Sequence, residues 1–185
     1  VGWGRISFDE GFNYSSNVAA TILSQRLGKE KLMESYEKFG FGKKTGITLP
    51  DEVSGSIYFN YATEIATAAF GQGITTTPIQ NIQALTTLAN DGVMLKPYII
   101  SKIVDSNTKD VKYEGKREEL GQVVKKSTTD KMKEMMHNVV TSGKTDARLF
   151  RSELVNIMGK SGTAQIPNPN GRGYLAGTYD YIRSF

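Results

Sequence analysis

The sequence contains no cysteine, and its 185 residues include only one histidine, one tryptophan and five prolines. Without cysteine, disulfide bridges, cysteine-based zinc sites and a catalytic thiol are excluded. The lone histidine, His137, falls in an expected helix without metal-ligand spacing around it, so we predict a structural role for it and neither a metal nor a cofactor. No apolar run approaches the roughly 20 residues that a membrane helix needs, so no segment of this chain is predicted to span a bilayer.

The sequence also contains no long run of residues with the same charge. Lys and Arg number 23 against 19 Asp and Glu, which gives a net charge of +4. The basic residues occur as single pairs with acids nearby, whereas a nucleic-acid footprint needs a dense basic face. We therefore predict no nucleic-acid partner. Apolar residues make up 38% and charged residues 23%, which is typical of a globular chain that buries a core.

Periodicity and turn chemistry predict an α+β organisation within one domain, with helices first and strands later. Helices are predicted at 17–27, 29–39, 78–91 and 127–141. Strands are predicted at 97–104 and 154–166, a surface hairpin at 106–115, and irregular connections at 47–63 and 167–173. Ser15 and Ser16 stand at the N-cap of the first helix, while Thr77, Pro78 and Gln80 form a capping box.

Both ends of the chain predict a piece of a longer protein. Val1 is not preceded by Met, and no signal-peptide pattern follows it. Residues 179–185 alternate aromatic and apolar side chains and stop without a turn residue, as a strand cut in mid-course would. We therefore expect a fold truncated at both ends, lacking strands at its C-terminal side and stable only in the longer protein.

The segment from Gly159 to Thr163 admits three interpretations. A phosphate-binding P-loop would need a glycine where Leu154 stands and a helix after the segment, and neither is present. A strand with a surface lysine is the simplest alternative. The third interpretation joins Lys160-Ser161-Gly162 to the upstream triplet Ser15-Ser16-Asn17, because K-[ST]-G and S-x-N occur together in one signature set of serine acyltransferases.

Longer strings make that third interpretation specific. They are residues 40–50, beginning Gly-Phe-Gly and ending Leu-Pro, together with 70–74 (Phe-Gly-Gln-Gly-Ile), 77–80 and 89–92. With the two triplets, they resemble the transpeptidase domain of class B penicillin-binding proteins, over essentially all 185 residues. Residues 3–17 and 168–171 resemble the division-type members of Gram-positive bacteria. The resemblance implies an α+β, serine β-lactamase-like fold in which an antiparallel sheet packs with helices.

The motif residues suit acyl transfer. Lys160 would supply a positive charge for a substrate carboxylate and lower the pKa of a neighbouring lysine base. The Ser15 hydroxyl could relay a proton between base and leaving group, and the Asn17 amide could bind a substrate carbonyl. Gly162 would let a substrate backbone approach the strand as an added strand.

The family pattern implies further roles. It makes the Thr163 backbone N–H one of two oxyanion-hole donors, and it places Ser161, Gly162, Thr163 and Gln165 in contact with the substrate. The family nucleophile lies in an S-x-x-K element that must precede S-x-N, and no such element precedes Ser15. Two later matches, at 35–38 in a helix and 106–109 in a polar loop, are interpreted as coincidence. We therefore expect the nucleophile outside this chain, which would be inactive alone.

The resemblance implies a D,D-transpeptidase that cross-links peptidoglycan stem peptides ending in D-Ala-D-Ala and is acylated by β-lactams. It also implies division-complex partners, and a membrane anchor outside this chain that places the protein on the outer face of the cell membrane. A serine β-lactamase or penicillin sensor shares both triplets, although a sequence separation of 145 from Ser15 to Lys160 is long for it. A non-catalytic binding module of the division complex remains the other alternative.

Overall fold

A computed structural model describes residues 3–142, 146–171, 173–175 and 181–184. The chain divides into two compact units, each assembled from separate stretches of sequence. Unit 1 comprises Val1–Lys29, Tyr58–Ile74 and Lys131–Phe185, and unit 2 comprises Glu30–Ile57 and Thr75–Asp130. No glycine-rich or serine-rich linker marks these boundaries, which is why the sequence predicted a single domain.

The described part of the chain contains six α-helices, one 3₁₀ helix and eight short strands. The helices are α1 (Phe8–Asn13), α2 (Asn17–Leu27), α3 (Lys29–Lys38), α4 (Ala62–Ala68), α5 (Pro78–Ala89) and α6 (Lys126–Thr141), with a 3₁₀ helix at Asp146–Phe150. The strands are β1 (Ser56–Ile57), β2 (Ile74–Thr75), β3 (Val93–Leu95), β4 (Lys102–Val104), β5 (Val111–Glu114), β6 (Glu119–Gln122), β7 (Gly162–Gln165) and β8 (Tyr181–Ser184). The predicted α+β class is confirmed.

Helix ends in unit 1 are fixed by side-chain caps. Ser7 caps α1 in a capping box with Glu10, and the Ser16 hydroxyl caps α2 by accepting from the Ala19 N–H at 3.2 Å. A Cβ atom at Gly11 would lie 3.0 Å from the Ala19 Cβ, so glycine allows α1 and α2 to approach closely. The turn between these two helices is therefore held tightly from both sides.

The core of unit 1 lies on one face of α6. Met135, Val139 and Val140 are buried there, with exposed fractions of 3%, 1% and 1%. Ala68 of α4 and Ala147 of the 3₁₀ helix are buried as well. These three buried side chains share one face of the helix, as the 3.6-residue period requires.

Unit 2 is organised around the buried amide of Gln80. Thr77, Pro78 and Gln80 form the predicted capping box of α5, so that prediction is confirmed. The fully buried Gln80 side chain accepts from the Thr77 N–H at 2.9 Å and donates to the carbonyls of Lys43 at 2.6 Å and Ser54 at 2.7 Å. One side chain thus satisfies backbone groups of three loop segments.

The strands pair in short antiparallel ladders. β3 pairs with β6, β4 with β5, and β7 with β8. The hairpin predicted at 106–115 is observed in the connection between β4 and β5, where Asp105 accepts from the N–H groups of Asn107 and Thr108. The longer predicted strands were wrong in extent, because residues 97–101 and 154–161 have no ladder partner. The irregular segment predicted at 47–63 missed β1 and the start of α4.

No helix in the described part of the chain is long and apolar enough to cross a membrane.

Candidate active site

A pocket of about 780 Å³ lies within unit 1. Its walls come from the turn between α1 and α2, the C-terminal end of α4, and the segment from Lys160 through β7. Every site residue predicted from the two triplets and the family pattern lines this pocket: Ser15, Asn17, Lys160, Ser161, Gly162, Thr163 and Gln165. Segments from both ends of the sequence therefore meet in one cavity.

Ser15 occupies the turn between α1 and α2 in an unusual backbone conformation. Its φ angle is +53°, in the left-handed region that residues with a Cβ seldom adopt. Its N–H donates to the Phe12 carbonyl at 3.0 Å, and the next N–H, that of Ser16, donates to Gly11 at 2.9 Å. Ser16 alone caps α2, so the prediction that both serines serve as caps was wrong for Ser15. The Ser15 hydroxyl is thereby left for the pocket.

Lys160 meets that hydroxyl. Its Nζ donates to the Ser15 Oγ at 2.7 Å and to the Ser161 carbonyl at 2.9 Å, and it lies 5.9 Å from the centroid of the Phe12 ring. No carboxylate among the described residues forms an ion pair with Lys160. Burial lowers the pKa of its ammonium. The pocket therefore holds a half-buried positive charge that an anionic ligand could neutralise.

Asn17 is the first residue of α2, and its side chain is exposed in the pocket beside this pair. The helix fixes its backbone because the Asn17 carbonyl accepts from the Thr21 hydroxyl at 2.9 Å. An amide at this place can donate and accept in a single orientation, as the binding of a ligand carbonyl would require.

β7 presents its backbone to the pocket along one edge. The Gln165 N–H donates to the Gln72 Oε1 at 3.0 Å, and the Gln165 carbonyl accepts from the Gln72 Nε2 at 3.3 Å. Both groups therefore point away from β8. Bonded and non-bonded pairs alternate in an antiparallel ladder, so the N–H and C=O of Thr163, two residues earlier, point to this same edge.

Gly162 lies against a neighbouring side chain, a contact that the sequence did not predict. A Cβ atom there would lie 2.6 Å from the Ser184 Oγ of β8, its ladder partner. The neighbour that the structure places against this glycine is thus the adjacent strand. A close approach by a substrate backbone stays a prediction.

Gln72 is a pocket residue whose contacts the sequence did not predict. It follows α4 in a Schellman motif: Gly71, with φ +85°, donates to the Ala68 carbonyl at 2.8 Å, and the Gln72 N–H donates to Thr67 at 3.1 Å. Gly73 also has a positive φ, +84°. A polar residue between two glycines directly after a helix was the available signal, but its partner lies 93 residues away.

The residues predicted to have no role in chemistry lie elsewhere. His137 is half-buried, and its Nδ1 lies 3.4 Å from the Ile157 carbonyl. Ser35 donates to the Lys31 carbonyl within α3, and Lys109 donates to the Ser106 carbonyl within its turn, so both later S-x-x-K matches make local bonds in unit 2. Among the residues that the structure describes, no cluster of His, Asp or Glu could hold a metal ion.

An α+β scaffold that brings the serine of an S-x-N triplet to the lysine of a K-S-G triplet defines the class of penicillin-recognising serine acyltransferases. Residues 1–185 match the family described as the penicillin binding protein transpeptidase domain. The chain belongs to that family, which confirms the resemblance found in the sequence.

Known proteins agree with this assignment. The chain is 36% identical over 167 residues to stage V sporulation protein D of Bacillus subtilis, covering 89% of this chain and 26% of that protein. It is 34% identical over 164 residues to penicillin-binding protein 2B of Streptococcus pneumoniae, covering 84% and 24%. It is 30% identical over 185 residues to the peptidoglycan D,D-transpeptidase MrdA of Acinetobacter baumannii, covering 90% and 26%. The chain thus spans about a quarter of the length of these relatives.

Solved structures share the fold. The crystal structure of penicillin binding protein 2X from Streptococcus thermophilus matches with a TM-score of 0.88 at 31% identity, covering 96% of this chain and 27% of that one. Penicillin binding protein 3 from Mycobacterium tuberculosis, complexed with ampicillin, matches with a TM-score of 0.81 at 30% identity, covering 91% and 38%.

Proposed function

We propose that this chain forms part of the binding and proton-transfer site of a peptidoglycan D,D-transpeptidase that is acylated by β-lactams. The observation that carries the proposal is the hydrogen bond of 2.7 Å between the Lys160 Nζ and the Ser15 Oγ in the pocket. The relatives support it, since one is named a peptidoglycan D,D-transpeptidase and another was solved with ampicillin.

The direction of that hydrogen bond suits Ser15 to proton relay. An ammonium has three donors and no acceptor, so the Ser15 oxygen accepts from Lys160. The hydroxyl hydrogen of Ser15 is then left to be donated to a second acceptor in the pocket. A nitrogen that leaves a substrate carbonyl is such an acceptor, and Ser15 would regain a proton from the base that activated the nucleophile.

The backbone of Thr163 suits the developing oxyanion. Its N–H points to the open edge of β7, where it could donate to the oxygen of a tetrahedral intermediate. Asn17 could hold a second carbonyl of the same ligand, and the Lys160 ammonium its carboxylate. Ser161, Gly162 and Gln165 line the same wall and complete the proposed substrate contacts.

In the proposed reaction a serine nucleophile adds to the carbonyl of the penultimate D-Ala residue. The amide C–N bond breaks, the terminal D-Ala leaves with the proton relayed by Ser15, and an acyl-enzyme forms. The amino group of a second stem peptide then attacks the ester and releases the serine. Since no S-x-x-K element precedes Ser15, the proposal takes this serine from another part of the full-length protein.

Acylation of the full-length protein by a fluorescent penicillin tests the function. Lys160→Met should slow acylation about 100-fold, because a hydrogen bond to a charged group contributes roughly 1.5–3 kcal/mol and the ligand carboxylate would also lose its counter-ion. The matched control is Lys112→Met, which removes an exposed lysine of unit 2. Equal labelling of the two variants would refute the assignment of Lys160.

The fate of the adduct separates this function from the β-lactamase alternative. A long-lived covalent penicillin adduct is expected, whereas rapid turnover of a chromogenic cephalosporin would favour a hydrolase. A protein that forms no adduct with either compound would instead fit a non-catalytic binding module. The membrane anchor, the outer-face location and the division-complex partners implied by the resemblance stay predictions.

A further inference from the structure

One edge of β7 is not covered by any strand that the structure describes, and a side chain occupies part of that edge. In the described part of the chain, β8 is the only strand that pairs with β7. On the opposite edge, Thr163 and Gln165 both direct their N–H and C=O groups toward the pocket. The two groups of Gln165 are bound by the side-chain amide of Gln72, at 3.0 and 3.3 Å.

The Gln72 amide imitates one residue of a paired strand. A primary amide offers one acceptor and two donors, and here Gln72 uses an acceptor and a donor against the donor and acceptor of a single residue. The Schellman motif holds the Gln72 backbone, because its N–H bonds to Thr67 across the left-handed Gly71. The amide is therefore anchored to α4 at one end and to Gln165 at the other.

This anchoring limits how far a ligand can extend along the strand. A peptide that adds to β7 meets the N–H and C=O of Thr163, which have no partner among the residues that the structure describes. Its next pairing position lies two residues away, about 7 Å along the edge, at Gln165. There both backbone groups already have partners, so a longer extended ligand gains nothing by continuing along the edge.

We propose that Gln72 is a specificity-determining residue that ends the substrate-binding edge of β7 after Thr163. The ligand class that fits is an acyl donor with one amide-linked residue against Thr163 and a remaining chain that leaves the strand direction. Peptides that branch beyond this residue, or that continue through a linkage other than an α-peptide bond, then bind as well as linear α-peptides. The identity of the ligand rests on the proposed function. The end of the binding edge at Gln165, called the stop below, rests on the contacts of Gln72.

Two penicillins with the same nucleus test the stop in the full-length protein. One carries an acetyl side chain, and the other carries acetyl-alanyl-alanine, which is long enough to reach Gln165. Their second-order acylation rate constants are measured, and the ratio of extended to short is compared between variants. Gln72→Ala should raise this ratio about tenfold, because it frees one donor and one acceptor for the longer ligand.

The ratio separates a stop from a structural role. If Gln72 only stabilised the fold, its loss would lower both rate constants together and leave the ratio unchanged, which would overturn the proposal. Gln72→Glu keeps an acceptor for the Gln165 N–H but frees the Gln165 carbonyl, so it should raise the ratio only about threefold. Gln122→Ala is the matched control, since it removes side-chain bonds to the carbonyls of Asp91 and Val124 in unit 2. A raised ratio in that control would also overturn the proposal.

A second measurement keeps the stop testable if the wild type is not acylated, an outcome that refutes the proposed function. Hydrogen–deuterium exchange of the Gln165 amide is followed with and without acetyl-trialanine. Protection gained with the peptide in Gln72→Ala but not in the wild type supports the stop. Equal behaviour of the two proteins overturns it.

Discussion

The contact between Ser15 and Lys160 can be measured as a coupling free energy. The cycle consists of Ser15→Ala, Lys160→Met and the double variant, each made in the full-length protein. Alanine is the informative replacement at Ser15, because it keeps the Cβ atom and therefore the strain of the φ angle of +53°. Glycine would relieve that strain and would mix a conformational effect into the cycle.

The structure sets the expected magnitude. The donor is charged and the distance of 2.7 Å is short, features of a hydrogen bond that contributes roughly 1.5–3 kcal/mol. Ser15 is exposed and Lys160 only half-buried, so solvent screening favours the lower end of that range. We expect a coupling of about 1.5 kcal/mol, or about tenfold non-additivity in the acylation rate constant.

Acylation of the four proteins by a fluorescent penicillin provides the assay. A second cycle, which combines Ser15→Ala with Lys112→Met, serves as the control and should be additive, because Lys112 pairs with Asp110 and shares no bonding partner with Ser15 among the described residues. Additivity of the Ser15 and Lys160 effects within about 0.5 kcal/mol would show that their hydrogen bond does not contribute to the reaction. The relay assigned to Ser15 would then be wrong.

Three further perturbations test other parts of the structure. Gln80→Leu should lower the free energy of unfolding by about 4 kcal/mol, because it leaves three backbone groups without their hydrogen-bond partner. Denaturant unfolding measures this loss, and a loss below about 1 kcal/mol would contradict the prediction. Burial lowers the pKa of Lys160, so the binding of a ligand carboxylate should be present at low pH and should be lost as the pH rises through that lowered pKa. In Lys160→Arg, the alkaline fall of the acylation rate should therefore move to higher pH. An alkaline fall at the same pH as in the wild type would contradict this prediction. Burial raises the pKa of Glu52, but the hydrogen bonds that its carboxylate accepts outweigh burial and lower the pKa. The stability that this carboxylate gives the fold should therefore be lost as the pH falls below about 4.5. In Glu52→Gln, the free energy of unfolding should depend less on pH in the acid range.

Local chemistry explains which elements the sequence predicted well. Ser16 and Thr77 are the N-cap residues of α2 and α5, and the hydroxyl of each accepts from the N–H three residues later. α1 has the same signal, Ser7 followed by Glu10, but its six residues are too few to show an apolar period. α4 was missed for a related reason, since only Glu64 marks its start by accepting from the Asn60 and Tyr61 N–H groups.

Strand extents depend on partners that a local pattern does not contain. Residues 97–101 are apolar enough for a strand, yet the ladder begins only at Lys102, where Glu114 provides the opposing backbone. The same holds in the pocket. Ser15 and Lys160 were paired only through resemblance to a family, because 145 residues separate them. The contact of Gln72 with Gln165 has no such motif, so tertiary structure alone reveals it.

The interleaving of the two units has a consequence for biosynthesis. Unit 1 is built from stretches at 1–29, 58–74 and 131–185, and each stretch contributes residues to its pocket, so a ribosome delivers Ser15 long before Lys160. During that interval the turn that presents Ser15 has no lysine to meet, while all segments of unit 2 have already left the ribosome. Unit 2 can therefore fold first, and the pocket of unit 1 is among the last parts of this chain to form.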